Sequence, residues 1–161
     1  MHREGRILTL DELPVWRSQF RTRAGRLIVT NGCFDILHSG HVTYLDEARS
    51  LGDALLVGLN SDASVRSLKG SDRPINCELD RAILLIALRS VDAVCVFSEL
   101  TATHFLSLAQ PDVYVKGGDY TIGSLNNEER HVVEKNGGKI VILPSLPGRS
   151  TTSILQKLSQ L

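Results

Sequence analysis

Two histidines three positions apart stand in the segment T-N-G-C-F-D-I-L-H-S-G-H, which covers residues 30–41. An apolar run leads into this segment and a helix-like pattern follows it, so His38 and His41 fall at a predicted helix start. Imidazoles in this position could bind a metal, act as an acid–base pair, hold a phosphate or cap the helix. Gly32 permits a tight turn, and Gly40 lets the backbone approach a ligand closely.

The histidine pair favours phosphate over metal. Zinc needs a third protein ligand, and the remaining histidines, His2, His104 and His131, lie away from the predicted strand ends. A helix N-terminus, by contrast, presents unpaired N–H groups and a partial positive charge that attract anions. We therefore predict that the pair binds phosphate.

A second anion site is predicted where Pro147-Gly148 leads into R-S-T-T-S. Capping a helix needs only one hydroxyl, so the surplus beside Arg149 indicates phosphate binding at another helix N-terminus. The residues concerned are Arg149, Ser150, Thr151 and Thr152.

The stretch K-G-G-D-Y, residues 116–120, is unusual for the end of a buried strand. Lys116 supplies a cation, Gly118 a flexible backbone and Asp119 a carboxylate, which together favour ligand binding over strand structure. The sequence therefore predicts that this stretch contacts the same ligand as the histidines.

Four further polar residues are candidates for the site, although ordinary structural roles could also explain residues of these types. Asn60 and Asp62 follow another predicted strand, but Ser61-Asp62 is also an ordinary helix cap. Lys69 stands beside a glycine-containing loop that is either a solvated segment or a mobile phosphate clamp. Arg81 is harder than Arg89 to explain by the helix dipole, which makes it a candidate for substrate binding.

The elements that must position these residues alternate between strands and helices. Short runs rich in Val, Ile and Leu predict strands buried on both faces, as in a parallel sheet. Helical patterns between them imply right-handed crossovers and a doubly wound α/β fold, in which ligands bind at the carboxyl ends of the strands. The predicted strands are 26–30, 54–59, 93–97, 113–116 and 139–143, and the predicted helices are 42–50, 61–68, 78–88, 103–109, 125–136 and 153–158.

Length and composition bound the class of protein. A chain of 161 residues predicts one domain, 1–161, with residues 1–24 as an N-terminal helical arm that packs on the domain or contacts a second copy. Eighteen basic and eighteen acidic residues give no net charge that would favour nucleic acid or a membrane surface. Three cysteines without a C-x-x-C motif predict a reducing, cytoplasmic location, and no apolar run is long enough to span a bilayer.

The chain lacks both G-x-x-x-x-G-K-[ST] and, after the first strand, G-x-G-x-x-G, which weighs against a P-loop and a dinucleotide dehydrogenase. The H-x-G-H core of residues 38–41 resembles the cytidylyltransferase-like nucleotidyltransferases. Together with N-S-D-A-S-V-R-S-L-K-G, D-R-P-I-N, R-S-V-D-A-V, V-K-G-G-D-Y and R-S-T-T-S-I, it is similar to the heptose 1-phosphate adenylyltransferases over residues 27–158.

This resemblance implies a Rossmann-like, five-stranded parallel sheet of order 3-2-1-4-5. It also implies transfer of AMP from ATP to D-glycero-β-D-manno-heptose 1-phosphate on the route to lipopolysaccharide core or another surface heptose glycan. No kinase domain is present in 161 residues, so we expect the stand-alone form of this activity. A homodimer is expected by the same resemblance, as is a Mg²⁺ coordinated mainly by ATP and water.

The resemblance also implies roles for individual residues. His38, His41 and Lys69 are expected to meet the phosphates and stabilise the transition state. The expected nucleotide-binding residues are Asn31, Gly32, Phe34, Gly40, Lys116, Gly118, Asp119, Arg149, Ser150, Thr151 and Thr152. The expected substrate-binding residues are Asp35, Asn60, Asp62 and Arg81, with Asp35 either a sugar contact or a local anchor, and Arg81 or Lys116 gripping the sugar phosphate or the α-phosphate.

Two other functions stay open. One is a cytidylyltransferase that acts on a small phosphate such as glycerol 3-phosphate. The other, from a different class, is a non-catalytic nucleotide-binding protein. A redox role for Cys33 is a weaker hypothesis, because a free buried cysteine is commoner.

Overall fold

A computed structural model describes residues 5–118, 120–144 and 147–160. In chain order the elements are β1 Arg6–Leu8, α1 Leu13–Arg21, β2 Leu27–Gly32, α2 Ser39–Ser50, β3 Ala54–Asn60, α3 Asp62–Lys69, α4 Glu78–Ile86, β4 Ala93–Phe97, α5 Thr103–Ala109, β5 Val113–Gly117, a 3₁₀ helix Ile122–Ser124, α6 Asn127–Lys135, β6 Lys139–Leu143 and α7 Thr151–Leu158. Among the described residues, no helix combines the length and apolarity needed to cross a bilayer.

The strands form one parallel sheet in the order β1-β4-β3-β2-β5-β6. The predicted α/β class and parallel sheet are confirmed, and the five predicted strands lie in the order 3-2-1-4-5. The predicted count of five is wrong, because Arg6–Leu8 adds a sixth, edge strand that pairs with β4 through Ala93–Cys95. Only Leu8 of this three-residue strand is buried, so it carries little apolar signal in the sequence.

Apolar side chains cover both faces of the sheet. Along β3, Leu56 packs in one cluster with side chains of α1, α5 and α6, whereas Leu55 and Val57 pack in a second cluster with α2 and α4. Successive side chains of a strand point to opposite faces, so a strand between two helical layers must be apolar throughout. This explains why the central strands appear in the sequence as unbroken apolar runs.

The N-terminal segment, residues 6–21, packs on the domain. Leu13 is fully buried in the first cluster. Arg17 of α1 is almost as buried, and its Nη2 donates to the Gln110 carbonyl at 2.8 Å and to the Asp112 carboxylate at 3.1 Å. Part of the predicted helical arm is therefore strand β1, and its helix spans 13–21.

Candidate active site

A cleft of about 1030 Å³ opens at the carboxyl ends of the central strands. Most of the predicted site residues line it: Asn31, Gly32, Phe34, Asp35, His38, Gly40, His41, Asn60, Lys69, Lys116, Gly118, Arg149, Ser150, Thr151 and Thr152. Asp62 and Arg81 do not line the cleft, and Asp119 lies outside the described residues. Segments more than a hundred residues apart in sequence meet here because parallel strands end on the same edge of the sheet.

The two histidines are stacked against each other. Their ring centroids lie 3.9 Å apart with an interplanar angle of 26°. His38 is the N-cap of α2 in an extended conformation, and its side chain makes no capping hydrogen bond. Among the described residues, the Nδ1 atoms of both rings are buried without a hydrogen-bond partner. Such orphaned polar atoms are costly in a folded protein, so hydrogen bonding within the fold does not explain these two rings, which line the cleft.

Burial lowers the pKa of both imidazoles in the free protein. Burial, together with the positive charge that His38 can carry, lowers the pKa of His41 to about 4. Burial and the nearby Arg149 guanidinium lower the pKa of His38 as well. A bound polyanion would reverse this balance, since opposite charge favours the imidazolium form.

Gly40 lets the two predicted anion sites approach each other. A Cβ atom at this position would lie 2.9 Å from the His38 ring and 3.1 Å from Cβ of Arg149. Any side chain here would push the start of α2 away from the segment that precedes α7. Gly40 is therefore needed for close packing between these two segments, whereas its predicted approach to a ligand stays a prediction.

The hydroxyl residues before α7 have separate tasks. Ser150 caps the helix by accepting a hydrogen bond from the Ser153 amide at 3.0 Å. Thr151 Oγ1 donates to the Ile36 carbonyl at 3.3 Å and so ties α7 to the histidine segment. In the described residues the Thr152 side chain has no protein partner, which leaves it and Arg149 for a ligand.

Lys116 lies on the floor of the cleft and is 9% exposed. Its Nζ donates to Asn31 Oδ1 at 3.2 Å and stands 4.7 Å from the centre of the Tyr120 ring. Burial lowers the pKa of Lys116, while the Glu129 carboxylate opposes that shift. A cation held this deep can act on a ligand without much competition from water.

Asp35 takes the second of its two predicted roles, that of a local anchor. Its carboxylate is 2% exposed and accepts hydrogen bonds from the amides of Ile75 and Asn76 and from Arg73 Nε. Burial alone would raise the pKa of Asp35, but these hydrogen bonds outweigh it and hold the pKa below its usual value. The carboxylate therefore fixes the loop between α3 and α4 beside the cleft.

Arg81 is fully buried beneath the cleft, away from the position expected for a substrate contact. Its guanidinium donates to four groups at 2.7–2.9 Å: the carbonyls of Cys33, Asn60 and Asn76 and the carboxylate of Asp62. All three nitrogens are thereby occupied, so the geometry assigns Arg81 a supporting position. Asp62 is its partner and likewise does not line the cleft.

Sequence reasoning missed several cleft residues, among them Tyr44 and Glu129. Tyr44 shares a hydrogen bond with Thr30 Oγ1 at 2.7 Å and donates to the Val115 carbonyl at 3.1 Å. A tyrosine on the buried side of a predicted helix carries no signal that separates such a role from ordinary packing.

Among the described residues, no three His, Cys, Asp or Glu side chains gather as metal ligands.

Comparisons with known proteins agree with this geometry. The model of the cytidylyltransferase-like family matches residues 29–157. The bifunctional protein HldE of Geotalea uraniireducens is 48% identical over 155 residues, which cover 96% of this chain and 31% of that protein. HldE of Wolinella succinogenes is 48% identical over 154 residues, or 95% of this chain and 31% of that protein. The chain thus spans about a third of the length of these relatives.

One solved structure is related in both sequence and fold. The lipopolysaccharide core biosynthesis protein from Thermoplasma volcanium is 28% identical and superposes with a TM-score of 0.62, covering 76% of this chain and 97% of that one.

Proposed function

The chain belongs to the cytidylyltransferase-like family, and from this premise we propose that it transfers AMP from ATP to D-glycero-β-D-manno-heptose 1-phosphate, giving ADP-heptose and pyrophosphate. The observation that carries the proposal is the pair of orphaned imidazoles at the start of α2, facing Arg149 at the start of α7. Identity of 48% to the bifunctional HldE proteins supports the choice of nucleotide and sugar.

The reaction needs positioning and charge stabilisation more than proton transfer. A sugar phosphate oxygen, already an anion, attacks the α-phosphorus in line. The bond from that phosphorus to the bridging oxygen breaks, and pyrophosphate leaves with the electron pair. No covalent intermediate is required, because the protein's main task is to bring two polyanions together and to neutralise the charge that grows on the leaving group.

The cleft offers a cation or a donor for each part of this charge. In our proposal His38 and His41 hold the triphosphate at the N-terminus of α2, and Arg149 and Thr152 hold its β- and γ-phosphates from the opposite wall. Lys116 approaches from the floor towards the α-phosphate or the sugar phosphate. Lys69, exposed at the end of α3 on the cleft wall, closes over the phosphates.

The residues present fit a Mg²⁺ that is held chiefly by the nucleotide. The described carboxylates on the cleft wall are Asp35, Glu47 and Glu129, and two of them, Asp35 and Glu129, already accept protein hydrogen bonds. Few protein ligands suit an ion that keeps water and phosphate ligands. When bound, Mg²⁺ would neutralise charge on the phosphate oxygens.

The activity is tested by measuring pyrophosphate release. We expect release with ATP and a heptose 1-phosphate, and little with hexose 1-phosphates or with CTP. Release with CTP and glycerol 3-phosphate would instead support a small-substrate cytidylyltransferase. Binding of ATP without release, across a broad panel of sugar phosphates, would overturn the proposal in favour of a non-catalytic nucleotide-binding protein.

Nucleotide binding should be coupled to proton uptake near pH 6. In the free protein the pKa of His41 is about 4 and the pKa of His38 is lowered, and a triphosphate beside them raises both values. Calorimetric titration with ATP in two buffers of different ionisation enthalpy measures the uptake.

The control for this experiment is the double variant His38→Gln/His41→Gln, because the γ-phosphate of ATP also titrates in this range. Uptake that persists in the variant belongs to the nucleotide. Equal uptake in the two proteins would contradict the assignment of the imidazoles to the triphosphate.

We also propose a cytoplasmic homodimer. Large apolar side chains are exposed on and before α4, at Ile75, Leu79, Ile83 and Leu84, with exposed fractions of 45–59%. Continuous exposed apolar surface is typical of an interface, and a second copy of the chain would cover it. Sedimentation equilibrium checks the mass, and a monomer at micromolar concentration would contradict the proposed dimer.

A further inference from the structure

A chain of polar groups runs along the floor of the cleft from α6 to β5 and β2. Its members are Glu129, Tyr114, Asn31 and Lys116, of which Tyr114 is fully buried and Glu129 is 7% exposed. The Tyr114 hydroxyl lies 3.3 Å from Glu129 Oε2 and 2.6 Å from Asn31 Oδ1. The same Asn31 oxygen accepts from Lys116 Nζ at 3.2 Å.

The hydrogen-bonding capacity of these groups fixes their orientation. The hydroxyl of Tyr114 has one proton, so the short bond to Asn31 is the principal one and the longer contact with Glu129 is a bifurcated component. Asn31 Oδ1 receives two donors, which sets the amide so that its NH₂ group points away from them. The ammonium of Lys116 is thereby held between this oxygen and the rings of Tyr120 and Tyr114.

Glu129 is itself held in place. Its Oε1 accepts a hydrogen bond from the Ala102 amide, the N-cap of α5, at 2.7 Å. Both carboxylate oxygens are thus engaged, one with the start of α5 and one with Tyr114. A buried charge costs free energy unless it is paired and hydrogen-bonded, so this placement requires a partner of opposite charge.

Lys116 is the cation that the hydrogen bonds of Tyr114 and Asn31 link to this carboxylate. Among the described residues, Glu129 on α6 is the carboxylate that raises the pKa of Lys116 against the lowering effect of burial, with a smaller contribution from the ionised form of Cys33 after β2. The titratable groups that face or couple to this cluster from the surrounding elements are Cys33, Tyr44, Tyr114, Tyr120 and Glu129. Tyr44 and Tyr114 are neutral at physiological pH, since burial raises the pKa of both hydroxyls.

We propose that Glu129 is a positioning residue for adenylyl transfer, which acts through Tyr114 and Asn31 to hold the charged ammonium of Lys116 on the floor of the cleft. This inference rests on the proposed function, because it assigns Lys116 to a substrate phosphate. Replacing direct donors to developing charge costs about 10²–10³ in rate. Replacing a residue that acts through such a donor should lower the rate less, and we expect a fall of about tenfold in kcat/KM for Glu129→Gln.

The pH dependence separates this role from a purely structural one. Glu129→Gln removes the charge but keeps the size of the side chain, so the pKa of Lys116 should fall. The neutral amine then appears at lower pH, and the alkaline limb of the kcat/KM profile moves in the same direction. Glu128→Gln is the matched control, since Glu128 is the exposed neighbour on the same helix and does not line the cleft.

Lys116 can also be observed without catalysis. Titration of its ¹³Cε and ¹⁵Nζ resonances in the free protein, assigned by their loss in Lys116→Met, reports the pKa directly. We expect a lower pKa in Glu129→Gln than in the wild type and in Glu128→Gln. Glu129→Asp keeps the charge and should retain the wild-type alkaline limb while losing part of the rate.

An unchanged Lys116 titration and an unchanged alkaline limb in Glu129→Gln would overturn the proposal. Failure of the proposed function would look different, because the wild type would then release no pyrophosphate while the Lys116 titration still responded to Glu129. If Glu129→Gln does not fold, Tyr114→Phe tests the same link by deleting the bridging hydroxyl. A wild-type kcat/KM in that variant would equally overturn the proposal.

Discussion

Replacing His41 with alanine is expected to lower kcat by about 10²–10³, a loss of roughly 3–4 kcal/mol in transition-state stabilisation. The imidazole stacks on His38 and lies 5.2 Å from the Phe34 ring, but its buried Nδ1 has no partner among the described residues. The side chain therefore contributes little hydrogen bonding to the fold, and the thermal midpoint should barely move. Pyrophosphate release and thermal denaturation of the same preparation check both statements.

Two further variants make this result specific. His131→Ala removes an exposed histidine from α6 and should leave both turnover and stability unchanged. His41→Gln retains a hydrogen-bond donor at some distance from the backbone and should recover part of the rate. Near-normal turnover of His41→Ala, or a fall in the thermal midpoint large enough to explain the lost activity, would refute the assignment.

The His41→Ala substitution should change kcat more than KM. The negative charge on the leaving pyrophosphate grows in the transition state, and a group that interacts more strongly with that charge raises kcat. The low pKa of His41, about 4, means that this ring is neutral in the free protein and gains charge only beside bound phosphate.

The central sheet could be predicted from the sequence because a strand that is buried on both faces consists of an unbroken run of apolar residues. Five unbroken apolar runs became five adjacent strands. The edge strand β1 could not be predicted, since Ile7 is 42% exposed and pairing on one side requires little apolar surface. The end of α4 was also misjudged: the helix stops at Ile86, and Arg89 lies beyond it, where it contacts Asp46 instead of the last turn.

Residues that touch the cleft could be predicted where strand ends, glycines and surplus polar groups coincided, as at His38, Gly40 and Arg149. Residues that act through another side chain could not. Glu129 looks like one of two ordinary acids in a first helical turn, next to the exposed Glu128. The spacing of residues could have indicated its burial, because Leu125, Glu129 and Val133 are four residues apart and so share one face of the predicted helix. All three are buried in the structure. A charged residue on the apolar stripe of a helix predicts a buried partner.

Arg81 is the counterpart of Glu129 on the other face of the sheet, and replacing it with methionine is expected to cost about 3–5 kcal/mol in the free energy of unfolding. The methionine fills much of the volume but leaves the carbonyls of Cys33, Asn60 and Asn76 without their donor. Each buried acceptor left unsatisfied costs about 1–3 kcal/mol. Urea denaturation with an unchanged m-value would measure the loss.

Arg89→Met is the matched control, because it removes the same charge from a side chain that is 90% exposed and pairs with Asp46 at 3.2 Å. Exposed pairs contribute about 0–1 kcal/mol, so its stability should stay within that range of the wild type. Arg81→Lys restores the charge but cannot reproduce the fork of donors, and we expect it to recover only part of the lost stability.

The same experiment decides between the two positions considered for Arg81. A direct grip on substrate phosphate, as the sequence predicted, would make Arg81→Met a well-folded protein with a low kcat. The buried position makes it an unstable protein whose activity falls because Arg81 joins the end of β2, the end of β3 and the loop before α4. Those three segments carry Phe34, Asn60 and Arg73 into the cleft. A stable Arg81→Met protein with lost turnover would therefore place Arg81 at the substrate, and an unstable one would place it beneath the site.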